Sequence, residues 1–337
     1  MILILTEEFD PHADHVAQKL SARGAELVRF NPAAFPVRAA VSVAFDQHGL
    51  TIAHLALHDG PTIDLHSLQG VWYRRPQPPQ LHDAHVDDEA TRAYMAQECT
   101  TVLNDLWHSL PCPVVPALPS VVKRAELKAA QLTTAAVIGF ELPPTLITTE
   151  PAALLDFYRE HNGNIISKLP SSALYQRTGS TFNRYTQVVS TREIGYAHAV
   201  QQCPVIFQAY VPKRVEIRAT VVGQRVFAAE IHSQQTQRTR YDWRRYDHYE
   251  TPYQPHRLPD DVAQLCVRLT EQLGLCYGAI DLILTPDGRY VFLEINPNGQ
   301  YLWIEEATGL PISDALCDLL MQGAPHRRPA ELVGVTR

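Results

Sequence analysis

Apolar positions fall into short blocks whose spacing switches between strand and helix periods. Residues 2–5 read as an apolar strand. Residues 11–23 follow a helix pattern, with Ala13, Val16, Ala17 and Leu20 on one face and Gly24 closing it. Residues 26–30 are the next strand, and this β-α-β opening predicts a parallel sheet. Residues 41–45 and 50–57 form a predicted hairpin around His48-Gly49. A strand at 70–75 ends in Trp72-Tyr73-Arg74-Arg75-Pro76, and 88–110 is a long helix. The proline-rich crossing at 111–119 marks a boundary.

A second unit opens with a predicted helix over 123–138, stopped by Gly139. A strand at 143–148, a helix at 151–160 and a strand at 164–168 ending in Lys168 follow. Residues 169–180 read as a loop of small residues and 181–189 as a strand. The third unit holds strands at 205–210, 215–222 and 225–232, then a polar-aromatic insertion over 233–255. A helix at 260–273, a hairpin over 277–299 and a helix at 311–323 complete it. The expected division is 1–118, 119–204 and 205–325, with a tail at 326–337, and the class is mixed α/β (α+β).

The hairpin carries the strongest chemical signal. Pro286-Asp287-Gly288 supplies a turn between two apolar strands. A turn centred between Asp287 and Gly288 sets Asp281 opposite Glu294. Alternation puts Glu294 and Asn296 on one face and sends Leu282, Leu284, Leu293 and Ile295 into a core. Two carboxylates and an amide then converge as oxygen ligands. Facing carboxylates repel and resist burial, and a hard divalent cation such as Mg²⁺ answers both objections.

The composition narrows the partners. The 337 residues are 45% hydrophobic and 19% charged, with a formal net charge of −7, against a generic nucleic-acid binder. No apolar run reaches a membrane span. The six cysteines lack a Cys-x-x-Cys, which fits free thiols in a reducing cytosol. No Gly-x-Gly-x-x-Gly follows the first strand, against a dinucleotide site there. Lysine is confined to positions 19, 123, 128, 168 and 213.

Other stretches add to the hairpin. Lys168 ends a strand beside a loop with Ser171, Ser172, Gly179 and Ser180, where backbone N–H groups can approach phosphate. Val205 to Pro212 is an apolar strand broken by proline; its end can face an adenine edge, with Phe207 or Tyr210 packing nearby. Glu216 and Arg218 share one face of the next strand, and a salt bridge between them is the plain alternative. The 234–253 stretch carries Arg238, Arg240, Arg244, Arg245, Tyr241, Trp243, Tyr246 and Tyr249, a composition suited to anchoring an acidic peptide or to a solvated insertion.

The order of helix lysine, strand lysine, flexible loop, Glu-x-Arg strand and Asp…Glu-x-Asn hairpin resembles the ATP-grasp carboxylate–amine ligases. That resemblance implies an ATP-grasp fold behind an N-terminal pre-ATP-grasp domain. It implies that Lys128 and Lys168 contact ATP phosphates and that Gln208, Tyr210 and Val211 hold the adenine region. Asp281, Glu294 and Asn296 would bind two Mg²⁺. Arg218 would stabilise an acyl phosphate, and Glu216 stands beside it as a catalytic candidate.

A narrower likeness covers nearly the whole chain. Asp10-Pro-His-Ala-Asp, Phe35-Pro36, Val71 to Pro76, Leu127 to Leu132 with Gly139 to Thr148, Glu230 to Gln234, Asp242-Trp-Arg244 and Phe292 to Gln300 resemble the microviridin-type peptide ligases, the graspetide maturases. These cyclise ribosomally made precursor peptides through side-chain esters or amides. One departure is that glutamate-adding relatives carry Asp where Glu216 stands. The resemblance implies a precursor peptide with a leader and an acidic core, no nucleic acid, no membrane, a homodimer and a cytoplasmic location. Arg74, Arg75, Arg240, Asp242, Trp243 and Arg244 become peptide-binding candidates. Glu216, Glu230 and His232 are candidate general bases. The competing readings are a ligase of free amino acids or protein termini and a silent ATP-binding module that presents a peptide.

Overall fold

The structure is a computed structural model that describes residues 1–81, 88–170, 175–177, 180–182, 185–235, 242 and 251–323. The N-terminal unit contains β1 (Ile2–Thr6), α1 (Pro11–Ala22), β2 (Leu27–Phe30), β3 (Ala39–Asp46), β4 (Gly49–Leu57), β5 (Thr62–Asp64), β6 (Gly70–Arg75), α2 (Glu89–His108) and β7 (Val114–Val115). Its main sheet is parallel, in the order β2-β1-β6-β7. The Asp10 carboxylate caps α1 by accepting from the His12 N–H, and Pro11 opens the first turn. Strands β3 to β5 form a separate antiparallel sheet, and β5 is an addition to the predicted hairpin.

The predicted helix over 123–138 is two helices, α3 (Pro119–Ala125) and α4 (Lys128–Ile138), with a break at Glu126-Leu127. Neither break residue is a Gly or Pro, so the local sequence holds no stop signal. The break makes Lys128 the first residue of α4 rather than a position on a continuous helix face.

The central unit follows with β8 (Thr145–Thr148), α5 (Pro151–Glu160), β9 (Ile165–Lys168), β10 (Tyr175–Arg177), β11 (Ser180–Phe182), β12 (Gln187–Val188), α6 (Thr191–Ile194) and β13 (Val205–Ala209). The predicted strand over 181–189 is thus divided between β11 and β12, and β10, inside the predicted small-residue loop, pairs with β11. From sequence, β13 opens the third unit. Its hydrogen bonds put it in the central sheet, between β8 and β9.

The C-terminal unit contains β14 (Val215–Val222), β15 (Arg225–Ile231), β16 (Tyr253–His256), α7 (Asp260–Gln272), β17 (Tyr277–Leu284), β18 (Tyr290–Asn296), α8 (Leu302–Thr308) and α9 (Ile312–Met321). Helix α8 has no counterpart among the predicted elements. The sheet is antiparallel in the order β16-β15-β14-β17-β18. Its Ile217, Leu282, Phe292 and Ile295 side pack with Ala135 of α4 and with Cys266 and Leu269 of α7. A second core joins Ile2 and Ile4 of β1 to Tyr277, Tyr301 and Leu316, so the first and last parts of the chain share one interior. Among the described residues no helix is long and apolar enough to cross a membrane. All six cysteines are free, and burial pushes the Cys266 thiol up to about 12, away from nucleophilic use.

Candidate active site

The sheet register confirms the pairing at the heart of the hairpin. Asp281 lies opposite Glu294 on one side and opposite Arg218 on the other. The route to that pairing differs from a plain turn. The register shifts between Asp281 and Leu282, so Leu282 faces Phe292 and Leu293 is the extra residue of a bulge. Phe292 therefore enters the core in place of Leu293, and Leu293 lines the cleft.

The two carboxylates do not face each other uncompensated. Lys128 Nζ lies 2.7 Å from Glu294 Oε2, and Arg218 Nε lies 3.1 Å from Asp281 Oδ1. Repulsion between the carboxylates is thus answered by protein cations. The remaining oxygens, Asp281 Oδ2 and Glu294 Oε1, lie 3.5 Å and 3.3 Å from Asn296 Nδ2. Turning this amide over presents Oδ1 and completes an all-oxygen donor set. Such a set fits a hard divalent cation that takes its other ligands from phosphate and water. Among the described residues no cluster of three or more His, Cys, Asp or Glu is arranged for a metal, so the amide is an essential part of this fit.

Lys128 is placed where helix electrostatics disfavour it. A cation in the first turn meets the positive end of the helix dipole, at a cost of about 0.3–1 kcal/mol. The compensating contact is with Glu294, across 166 positions of the chain.

These residues line one cleft of about 1850 Å³ between the three units. Lys128, Lys168, Gln208, Tyr210, Val211, Glu216, Arg218, Asp281, Glu294 and Asn296 all reach it, as do Arg74, Arg75 and Asp242. Arg240, Trp243 and Arg244 lie outside the described residues, as do Ser171, Ser172, Gly179, the other aromatic and arginine residues named in the insertion, and the tail.

The central sheet supplies an apolar wall. Ile206 pairs with Ile147, and Gln208 pairs with Ile166. All four line the cleft, and Ile147 is 44% exposed. Phe207 points the other way, into the core with Ile165 and Leu154, so it does not pack at the strand end that faces the cleft. Gln208 donates to Thr145 Oγ1 at 2.9 Å, while its buried Oε1 has no partner.

Glu216 accepts from Lys213 Nζ at 2.6 Å, and both side chains are nearly sealed from solvent. Lys213, which lines the same cleft, is a site candidate that the motifs did not single out. Glu230 sits opposite Ile217 on the core side of the sheet. It contacts His232 at 3.0 Å and His256 at 2.8 Å, and neither Glu230 nor His232 lines the cleft. Of the three general-base candidates, Glu216 alone is among the residues that line the cleft.

The arginine pair divides. Arg75 is exposed at the cleft, whereas Arg74 is 2% exposed. Arg74 Nη1 donates to the Asn298 carbonyl at 2.5 Å, and Nε lies 3.5 Å from Asp10. Asp242 is likewise buried and accepts from the Thr186 N–H at 2.9 Å. His12 Nε2 accepts from the N–H groups of Tyr301 and Leu302 at 3.1 Å and 3.2 Å. Asp10, His12 and Arg74 thus tie the N-terminal unit to the segment just after Asn296. Partners so distant in the chain leave no local periodic signal.

Comparison with known proteins agrees with this architecture. Residues 1–121 match the MvdD pre-ATP grasp domain, and residues 182–320 match the RimK-like ATP-grasp domain. The macrocyclase MdnB from Microcystis aeruginosa MRC is 32% identical with a TM-score of 0.78, over 96% of this chain and 99% of that one. A RiPP-associated ATP-grasp ligase of Chryseobacterium gregarium, in complex with ADP and a leader and core peptide, is 29% identical with a TM-score of 0.88, over 97% of this chain and 98% of that one. The macrocyclase MdnC of Microcystis aeruginosa MRC, bound with precursor peptide MdnA, is 28% identical with a TM-score of 0.83, over 96% of this chain and 99% of that one. Human N-acetylaspartylglutamate synthase A is 26% identical over 133 residues, which span 38% of this chain and 32% of that protein's length. With its two matched domains and its end-to-end likeness to MdnB, the chain belongs to the family of ATP-grasp peptide macrocyclases.

Proposed function

We propose that the chain uses ATP to activate a side-chain carboxylate of a ribosomal precursor peptide and joins it to a hydroxyl or amine of the same peptide. A carboxylate is a poor electrophile at neutral pH. Transfer of the γ-phosphoryl group of ATP to it gives an acyl phosphate and ADP. Attack by the hydroxyl or amine then forms an ester or amide and releases phosphate. The nucleophile gives up its proton, and the peptide loses one water per bond.

The observation that carries this reading is the convergence of Lys128, Lys168, Arg218 and the Asp281–Glu294–Asn296 set on one cleft. In it Lys128 and Lys168 bind phosphate as point charges. Gln208, Tyr210 and Val211 border the adenine, with Ile147, Ile166 and Ile206 as the apolar wall. Asp281, Glu294 and Asn296 would hold two Mg²⁺, whose charge would neutralise phosphate. Arg218 faces the charge developing on the acyl phosphate. Glu216, held by Lys213, orients the attacking group. Arg75, Asp242, Arg240, Trp243 and Arg244 serve the peptide, and Arg74 serves it through the Asn298 segment.

The cleft volume exceeds the roughly 300–1,000 Å³ of ordinary small-molecule pockets and suits a peptide beside a nucleotide. That favours a peptide substrate over ligation of free amino acids. We place the enzyme in the cytoplasm as a homodimer acting on a leader plus an acidic core. Mass spectrometry of a short acidic peptide encoded nearby, incubated with the protein, ATP and Mg²⁺, is the test. Loss of one water per bond is expected. Unchanged peptide mass, with ATP turnover driven by free amino acids, would sink this reading in favour of the amino-acid ligase.

A further inference from the structure

Gln131 is a polar residue one turn into α4, yet it is 1% exposed. A buried amide without partners is costly, so its contacts merit an account. Its Oε1 accepts from the Ile295 N–H at 3.2 Å. Its Nε2 donates to the Ile295 carbonyl at 2.8 Å and to the Ala125 carbonyl at 2.6 Å. One side chain thus satisfies both backbone groups of Ile295, as a neighbouring strand would, on the outer side of the edge strand β18.

The position of Ile295 gives this contact its meaning. It lies between Glu294 and Asn296, with its own side chain in the core. The next pairing on the same edge is backbone to backbone, from the Phe292 N–H to the Glu141 carbonyl at 2.9 Å. Lys128 precedes Gln131 by one helical turn and reaches Glu294. Helix α4 is therefore joined to two consecutive residues of β18. The third contact of the amide, to Ala125, ties α4 back to the end of α3 across the break at Glu126-Leu127.

We propose that Gln131 is the positioning residue of the metal strand. Its amide sets the backbone of Ile295 so that Glu294 and Asn296 present their oxygens together. This rests on the ATP-ligase reading, but it concerns the nucleotide end of the cleft alone. No peptide is needed to examine it.

The test is calorimetric titration of ADP into the full chain with and without Mg²⁺. In the unaltered protein Mg²⁺ strengthens ADP binding. In Gln131→Met that gain is expected to fall about tenfold or more, the usual effect of removing a partner that orients a metal ligand. Affinity for ADP without Mg²⁺ should stay unchanged, which a general loss of structure would not allow. An unchanged Mg²⁺-dependent gain, or an equal loss with and without Mg²⁺, overturns the proposal. Gln131→Glu keeps the acceptor for Ile295 but sets a carboxylate oxygen against two carbonyls, and it should give the same split if Gln131→Met fails to fold. Hydrogen exchange of the unaltered protein is a check that needs no variant: the Ile295 amide should be protected, and exchange at the rate of a free amide overturns the clamp. Failure here leaves peptide dehydration standing, whereas an unmodified peptide with the Mg²⁺ split intact counts against the substrate alone.

Discussion

Arg218 on β14 and Asp281 on β17 are direct cross-strand partners, with Nε 3.1 Å from Oδ1. The arginine is nearly buried, so its direction is fixed by that carboxylate as well as by the strand. A preorganised cation costs no reorganisation when charge develops beside it. Arg218→Ala should therefore lower the turnover of peptide by about 10²–10³ or more while ADP still binds. Single-turnover product formation and ADP titration together check this. Retained ligation would remove Arg218 from the stabilisation of the acyl phosphate.

The same pair makes Asp281 answer for two jobs. Asp281→Asn removes a charged oxygen from the metal set and leaves Arg218 facing a neutral amide. Changes to residues that merely support a ligand already cost about tenfold or more in metal affinity. The Mg²⁺ concentration for half-maximal ATP turnover should rise by at least that factor. An unaltered Mg²⁺ dependence would falsify the assignment of Asp281 as a ligand.

The pairing of Asp281 with Glu294 follows from the sequence only on a turn centred between Asp287 and Gly288; the pairs next to the turn, Leu284 with Tyr290 and Leu282 with Phe292, centre on Asp287, and the bulge restores the opposition. The bulge at Leu293 is not legible, because an extra residue in an apolar strand leaves the composition unchanged while reversing which of Phe292 and Leu293 is buried. The alternation of Glu216 and Arg218 with Val215 and Ile217 survives intact, since β14 is regular over its whole length. The break before Lys128 is hidden because Glu126 and Leu127 suit a helix as well as a break does. Gln131, Asp10 and His12 lie in stretches that carry the family likeness, but periodicity and composition assign them no contacts. Their partners, Ile295, Arg74 and Tyr301, are distant in sequence, and only the fold brings them together.

Gly299 closes the loop just after Asn296, donating its N–H to the Asn296 carbonyl. A Cβ built there would lie 2.2 Å from the Cβ of Ala279, on the strand opposite Asn296. Tyr277 donates to the Gly299 carbonyl at 2.6 Å, and burial pushes its phenol up to about 12, so the donor persists at any ordinary pH. Gly299→Ala must displace one of these groups, and overpacking of this kind costs about 1–3 kcal/mol. Thermal unfolding should show a lower midpoint, and ADP binding should lose part of its Mg²⁺ dependence as Asn296 moves. A midpoint equal to that of the unaltered protein would show that the loop yields without strain.

The joint between the start of α1 and the segment after Asn296 should weaken on acidification, in two steps. His12 Nε2 accepts two backbone N–H groups, so the ring is neutral with its proton on Nδ1. Burial outweighs the pull of Asp10 and holds the His12 pKa below its ordinary value. The unfolded chain therefore takes up that proton first, and stability falls as the pH drops below about 6.5 toward the folded value. Burial works against ionised Asp10, yet hydrogen bonds from His12 and Thr6 and the charge of Arg74 prevail and hold its carboxyl well below the usual range. Its contribution is present above the unfolded carboxylate value of about 3.9 and is lost below it, so the second step lies at lower pH. Thermal midpoints measured from neutral to mildly acidic pH check the first step. The unaltered protein should lose stability across that window. His12→Leu should start lower at neutral pH, because it gives up the two backbone contacts, and then hold a flatter course. Parallel profiles for the two proteins would exclude His12 as the titrating group.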